Sequence, residues 1–527
     1  MCGLEIYIAK EDIKSHDNCK HRGPDSTKKI DIKYFEYQIR LVFHRLSIID
    51  LENGEQPFIY ENDDETIYLL CNGEIYNYKK LIEKYILKTN SDCKVIIEMY
   101  KKSKNIYNII QELDGEFAFV LLVLKKSYQN ISIFYGRDRF GIRPLFHKFE
   151  ENKLFISSEL KGIPNMDGKQ VEPRKIYWSN LNNVSVNTYY YIGTNINKLN
   201  HKVNNIKDSL IESVRDRMQT ERPLGALLSG GLDSSLICGI ASNILKETNK
   251  QLTTFTIGMD ADSPDIEYAR KVAKHINSIH HEIIIPVHVW LDNLKNVIKQ
   301  IETYDITTIR ASCGQYLISK WISENTDIKV ILNGDGSDEL TSGYLYFYNA
   351  PSPDSSHFEN LILLNQIHNY DVLRVDRGIS AFGLESRVPF LSQKFVETYL
   401  SIDKELRNPI KGKRIEKYKL RKAFEDMDLI PNDVLWRVKE AFSDGVSSYQ
   451  KSWFEHIQDY IDTQISDDEF HNNNTKNFPS KEAYWYYTVY KEFYPNSDLQ
   501  VNYWMPKWTD KHKGDPSARI IKDTIQS

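Results

Sequence analysis

A chain of 527 residues with 68 Lys and Arg against 73 Asp and Glu carries a net charge of only −5, which gives no case for a nucleic-acid partner, since such partners are read by a basic stripe. Six scattered cysteines without a CxxC pair fit a reducing compartment and argue against a disulfide framework or a zinc site. No apolar run is long enough to cross a bilayer and the start lacks a basic, apolar leader, so the expected localisation is cytoplasmic with no membrane partner.

From the amino end to about residue 190, short β-rich runs alternate with turn signals: YFEYQIRLVFHRLSIID, ETIYLLCNGEIYN, EFAFVLLVL, ISIFYGRD and KLFISSE. This spacing predicts packed antiparallel sheets with few helices. One helix is expected over 92–102, where CKVIIEMYKK has helical apolar spacing. The asparagine-rich stretch near 179–205 reads as a connection, with a strand only at its tyrosines. IKDSLIESVRDRMQ then predicts an amphipathic helix, with Ile206, Leu210, Ile211, Val214 and Met218 on one side. Four strand-like runs follow, PLGALLS, LTTFTIGM, HHEIIIP and KVILNGDG, separated by helical segments such as DSSLICGIASNILKE and DIEYARKVAKHIN. That order predicts a parallel sheet with helices on both faces, ligands sitting beyond the carboxyl ends of its strands near a switch in strand order. Past Asp335 the chain reads as mostly helical and ends in a loose tail. The expected fold class is therefore α+β followed by α/β.

LLSGGLDSS at 227–235 lies between a predicted strand and a predicted helix. Backbone N–H groups at a helix start attract anions, and glycines let phosphate oxygens approach closely. Ser229, Ser234 and Ser235 add hydroxyl donors, and Asp233 can hold a metal. No Gly-Lys-Ser/Thr follows, so it is not a Walker A loop. The string resembles the pyrophosphate loop of N-type ATP pyrophosphatases, which cleave ATP to AMP and pyrophosphate. A second string, NGDGSDELTSGY at 333–344, follows the last predicted strand. Its Asp338 could share Mg²⁺ with Asp233, because magnesium prefers few carboxylates plus phosphate oxygens.

The first half carries, in order, Cys2-Gly3, HRGPD (21–25), HRLSIID (44–50), CNGEIYN (71–77), SDC (91–93) and GRDRFGIRPLF (136–146). The set resembles the class II glutamine amidotransferase domain, an N-terminal-nucleophile hydrolase. Removal of Met1 would leave an α-amine of pKa roughly 8 beside the Cys2 thiol, a base suited to near-neutral pH. The resemblance implies the Asn72 side chain and the Gly73 N–H as oxyanion donors. It assigns glutamine binding to Arg45, Leu46, Ser47, Ile48, Ile49, Asn72, Gly73, Glu74 and Asp92, with Arg45 a bidentate partner for the substrate carboxylate and Glu74 and Asp92 for its ammonium. Cys71 and Cys93 read as core thiols.

Together the halves resemble the glutamine-hydrolysing asparagine synthetases over nearly the whole chain. IETYDITTIRAS (301–312), LESRVPFLS (384–392) and WRVKEAFSDGV (436–446) also match. The implied organisation is a glutaminase domain at 2–190, a linker at 191–204, a synthetase domain at 205–510 and a loose tail at 511–527. The implied substrates are L-glutamine, L-aspartate and ATP, with Mg²⁺ as cofactor; a homodimer is compatible with the family. ATP would be bound by Leu228, Ser229, Gly230, Gly231, Asp233, Ser234, Ile257, Asn333 and Gly334. Lys439 would contact phosphate or stabilise developing charge, a catalytic role, and Arg387 with the 307–310 segment would lie near the aspartate pocket or an apolar ammonia tunnel. The family's second loop usually reads SGEGSDE, so Asn333 replaces a serine and Asp335 a glutamate tied to forming or consuming the acyl-adenylate, and Ser392 stands where an aspartate is common. The competing readings are a β-lactam-synthetase-like ligase, against which the intact Cys2 set argues, and a non-catalytic scaffold, whose mark would be loss of Cys2 or Asp233.

Overall fold

The computed structural model describes residues 1–11, 17–193, 204–439, 445–448, 450–474 and 476–508. Most of the expected linker, part of the WRVKEAFSDGV string and the expected tail lie outside these residues.

The chain up to Thr188 builds two antiparallel sheets. Its strands are β1 (Gly3–Ala9), β2 (Ser26–Tyr34), β3 (Tyr37–Arg45), β4 (Phe58–Glu61), β5 (Glu65–Ile75), β6 (Gly115–Lys125), β7 (Ile131–Arg137), β8 (Phe146–Glu150), β9 (Lys153–Ser157), β10 (Lys169–Gln170), β11 (Lys175–Ser179) and β12 (Val184–Thr188). One sheet runs β10-β8-β9-β1-β3-β2 and the other β12-β11-β7-β6-β5-β4. They face each other across a core of Leu4, Ile6, Ile8, Leu41, Phe43, Val120, Leu122 and their neighbours. The alternation of β1 puts its even positions into that core, while Glu5 and Tyr7 face the other side.

Two details differ from expectation. The helix begins at Val95 and ends at Ser103, because Asp92 lies in the preceding turn, where its carboxylate accepts the Ile75 N–H at 2.9 Å. The asparagine-rich stretch contains β12, an edge strand paired with β11. A strand with only one partner and little burial tolerates polar residues, which hid it.

The second half builds a parallel sheet from β13 (Leu224–Leu227), β14 (Thr253–Gly258), β15 (Ile279–Ile284), β16 (Val330–Leu332) and β17 (Glu385–Arg387), ordered β15-β14-β13-β16-β17. The strand order reverses beside β13, the position where such sheets place ligands. β17 has three residues and sits in a stretch read as helical; its pairing with β16 brings Ser386 opposite Ile331. Among the described residues, no helix is long and apolar enough to cross a membrane.

The junction of the two halves combines apolar contacts, such as Leu46 and Ile48 beside Val330, with buried charge. Arg22 pairs with Glu159 at 2.7 Å and Asp376 at 2.8 Å; Arg143 and Arg217 reach Glu116 at 3.1 and 2.8 Å. All are fully or almost fully buried. Such pairs contribute little net stability, but breaking one strands its partners. Arg22→Met is expected to destabilise the chain by about 3–5 kcal/mol, read as a lower denaturation midpoint; a change within about 0.5 kcal/mol would mean that water reaches Glu159 and Asp376.

Candidate active sites

Cys2 stands at the mouth of β1, with its thiol against the Leu46 N–H at 3.4 Å. The Cys2 N–H, here peptide-linked to Met1, donates to the Asn72 side-chain oxygen at 2.8 Å. That bond turns the Asn72 Nδ2 the other way, buried and without a hydrogen-bond partner. A buried orphan donor costs about 1–3 kcal/mol unless something arrives to accept from it. Gly73 follows with φ of +140°, and a Cβ there would lie 2.0 Å from the Glu116 carbonyl oxygen, so only glycine fits. Burial pushes the Cys2 thiol up to about 11 and drops the Met1 α-ammonium to about 6. Met1 itself is wholly buried, its sulfur against Arg143 at 2.7 Å and its ammonium 3.8 Å from Glu385.

A small pocket around the thiol is lined by Arg45, Leu46, Ile48, Ile49, Gly73, Glu74 and Asp92, as the sequence suggests, together with Gln56, Ser91, Cys71, Cys93 and Glu385. Ser47 is not on its wall; its N–H is held by Asp25 at 2.8 Å. The Arg45 guanidinium is braced by the carbonyls of Asp50 and Leu51 at 2.6 and 3.0 Å. Cys71 and Cys93 are buried, as core thiols would be, yet both also face the pocket, and Cys93 Sγ donates to the Gly73 carbonyl at 3.2 Å.

Three carboxylates converge here. Burial raises Glu74 well above the usual range, with Asp92 and Glu385 adding like charge, and burial lifts Asp92 to about 6. Arg387 is the counter-ion, 2.8 Å from Glu385 and 3.4 Å from Glu74. Glu385 escaped the sequence reading because it is brought here only by β17.

The second centre is a cleft over the carboxyl ends of β13 and β16, about 930 Å³ with its open mouth. After β13, Ser229–Ser234 wrap into the helix Leu232–Lys246, with the Ser229 and Ser234 hydroxyls 3.0 Å apart. Gly230 turns at φ +72°, and Tyr268 and Ala269 crowd the space a Cβ would take, so the position calls for glycine. After β16 come Asn333, Gly334, Asp335 and Asp338. Leu228 and Ile257 are buried and lie outside the cleft wall, whose apolar surface comes from Leu227, Leu232 and Val438.

Asp233 and Asp338 are each 2.5 Å from Lys417 Nζ, and Lys439 reaches Asp338 at 2.7 Å. The two lysines hold the Asp338 carboxyl below its ordinary range despite burial. Lys417 carries φ of +59°, a costly conformation for a residue with a Cβ, of the kind that clusters at functional sites. It was missed, since nothing in EKYKLRKAF marks it. Its ammonium stands between the two carboxylates, so a cation already fits where a shared metal is expected.

Asp335 is partly buried and lifted to about 6 by desolvation, with Arg374 opposing. Arg374 donates to both Asp335 and Asp371, and Gln315 Nε2 lies 3.5 Å from Asp335. Arg310 is elsewhere: its guanidinium grips Glu482 and stacks on Phe454 at 4.4 Å. Ser392 caps the helix Gln393–Leu400 through the Phe395 N–H at 3.1 Å.

The sequence matches the asparagine synthase family over residues 205–363 and 351–511, and the glutamine amidotransferase domain family over residues 1–216. It is 40% identical over 568 residues to the asparagine synthetase [glutamine-hydrolyzing] of Homo sapiens, spanning 99% of this chain and 98% of that one. The enzymes of the same name from Cricetulus griseus and Gallus gallus are each 39% identical, with 98% and 99% of their lengths covered.

Proposed function

The chain belongs to the glutamine-hydrolysing asparagine synthetase family, and from that premise we propose how its own residues divide the work. The overall reaction converts ATP, L-aspartate, L-glutamine and water to AMP, diphosphate, L-asparagine and L-glutamate. The observation that carries the reading is the full-length match to enzymes of that activity, with a thiol and orphan amide in one half and a phosphate loop in the other.

Removal of Met1 frees the Cys2 amine, which takes the thiol proton. The sulfur attacks the glutamine carboxamide carbon, and the oxyanion accepts from Asn72 Nδ2 and the Gly73 N–H. Ammonia leaves with the returned proton, and water releases glutamate from the thioester. Arg45 binds the substrate carboxylate, while Glu74, Asp92 and Glu385 receive its ammonium. Removing Met1 also vacates the slot beside Arg143 and Glu385, which opens from the thiol toward β17. This exit is lined by ion-paired arginines and carboxylates and not by the apolar wall expected from the sequence.

In the cleft, the loop Ser229–Ser234 and Lys439 hold the phosphates, while Asp233 and Asp338 would hold Mg²⁺, displacing Lys417. When bound, that ion neutralises phosphate charge. A β-carboxylate oxygen of aspartate attacks the α-phosphorus and pyrophosphate departs. Ammonia attacks the acyl carbon, AMP leaves, and Asp335, ionised at neutral pH, takes the surplus proton. Incubation with glutamine, aspartate and Mg-ATP tests the assignment: pyrophosphate release must depend on aspartate.

Asp92 adds a pH signature. Its raised folded pKa means that the ionised form is disfavoured until the substrate ammonium arrives. Glutaminase kcat/KM is expected to fall below about pH 6 as Asp92 protonates. Asp92→Asn should cost about 10- to 200-fold and flatten that limb. The stability sign is opposite: the ligand-free chain gains stability from this group below its unfolded pKa near 4 and loses it as pH rises through about 6. At pH 7, therefore, Asp92→Asn should raise the denaturation midpoint.

A further inference from the structure

Behind β1, on the face turned away from the apolar core, lies a cluster that neither centre uses. Gly3 pairs with His44 and Glu5 with Val42, so Glu5 and His44 are diagonal neighbours on one face of adjacent strands. The segment leading into the short helix Lys20–Arg22 brings Asp17 to the same place. One side-chain ligand atom from each of the three lies within 4.8 Å of the other two.

Three observations point to an absent cation. Glu5 is wholly buried, and its oxygens accept from neutral donors, the Tyr7 hydroxyl at 2.8 Å and the Cys19 N–H at 3.0 Å. His44 is also wholly buried; its Nδ1 meets the Thr27 hydroxyl at 2.9 Å, leaving Nε2 with no hydrogen-bond partner. Asp17 gives one oxygen to Lys29 at 2.6 Å and buries the other without a partner. An orphan imidazole nitrogen and an orphan carboxylate oxygen, on residues clustered with a buried glutamate, each carry a desolvation cost that one ligand would remove together.

We propose that Glu5, Asp17 and His44 form a structural site for a divalent transition-metal cation, of which zinc is the best match. One imidazole and two carboxylates suit zinc, whereas magnesium and calcium take oxygen donors alone. Zinc–ligand bonds of about 2.0–2.2 Å place ligand atoms roughly 3.3 Å apart in a tetrahedron, so side-chain rotations that close the cluster by at most about 1.5 Å complete it, with water in the fourth position. The Thr27 hydroxyl on Nδ1 then plays the orienting part usual for a ligating histidine. The site is distinct from the glutamine pocket but is tied to it through the chain: Glu5 follows Cys2 by three residues, and His44 precedes Arg45 directly. The cation would lock the Asp17 segment onto β1 and hold the floor of that pocket.

The test uses the full chain, stripped with a chelator and titrated with Co²⁺ and then Zn²⁺. One equivalent of Co²⁺ is expected, giving visible d–d bands without the near-ultraviolet bands of thiolate ligation, displaced by Zn²⁺. Zn²⁺ should raise the denaturation midpoint by roughly 5 °C. Glu5→Gln keeps the shape and can retain both neutral hydrogen bonds, so it should fold yet lose the site; His44→Gln should do the same. Asp338→Asn, in the nucleotide cleft, should leave the bands unchanged. Uptake of no equivalent by the stripped chain, or uptake that survives both Glu5→Gln and His44→Gln, overturns the proposal, as does loss of the bands in Asp338→Asn with retention in Glu5→Gln.

Discussion

Cys2→Ala should lower glutamine-dependent asparagine formation by roughly 10³-fold or more and leave ammonia-dependent formation within about threefold. The reasoning is geometric. The thiol is on the wall of the pocket and its own backbone N–H is bonded to the Asn72 side chain, while the neighbouring Cys93 thiol is committed to the Gly73 carbonyl. Alanine keeps the β1 backbone and its bond to Asn72, so the cleft some distance away should not register the change. The comparison must use steady-state rates with saturating ammonia on one arm and glutamine on the other, with asparagine itself quantified. Glutamine-dependent synthesis that survives would remove Cys2 from the chemistry. Loss on both arms would mean that the thiol is a structural element of the junction. Mass spectrometry of the active chain adds a condition: with Met1 in place Cys2 offers an amide where a base is required, so active material should lack Met1.

How legible this was depends on how the residues are gathered. Cys2, Arg45, Gly73 and Asp92 come from short strings that each stay local, at the ends of β1, β3 and β5 and in the turn before a helix, and the pocket assembles from them nearly as read. The phosphate loop was legible for a similar reason, because a glycine-rich turn between a strand and a helix is a local object. Glu385 and Lys417 were not legible. Glu385 reaches the glutamine pocket only because a three-residue strand, too short to show a period of two, docks beside β16. Lys417 reaches the two aspartates by a left-handed backbone turn that lysine gives no hint of adopting. The charged junction was invisible for a different reason: Arg22, Glu116, Arg143 and Asp376 are scattered over more than 350 positions and read singly as surface residues. Tertiary contact, not composition, makes them buried.

Asp335 stands where the sequence reading expects a glutamate, and replacing it should have the largest effect in the cleft. Asp335→Asn is expected to lower ammonia-dependent asparagine formation by roughly 10²–10⁴-fold, the usual loss for a proton acceptor, with glutamine hydrolysis unchanged. The carboxylate is one methylene shorter than the glutamate the sequence reading expects there, and a misplacement of about 1 Å can cost on the order of 10²-fold. Arg374 answers that shortfall. Held by Asp371 on one side, it donates to one Asp335 oxygen and leaves the other near Gln315 and the open cleft. The base is thus fixed at a defined point rather than left to swing on its short stem. Asp335→Glu must either fold back to keep Arg374 or release it, so the longer side chain should bring no advantage: a change within about tenfold, and downward. Ammonia as nitrogen donor isolates the step, and a gain of tenfold or more in Asp335→Glu would show instead that the native chain is a weakened synthetase whose shorter carboxylate stops short of the adduct.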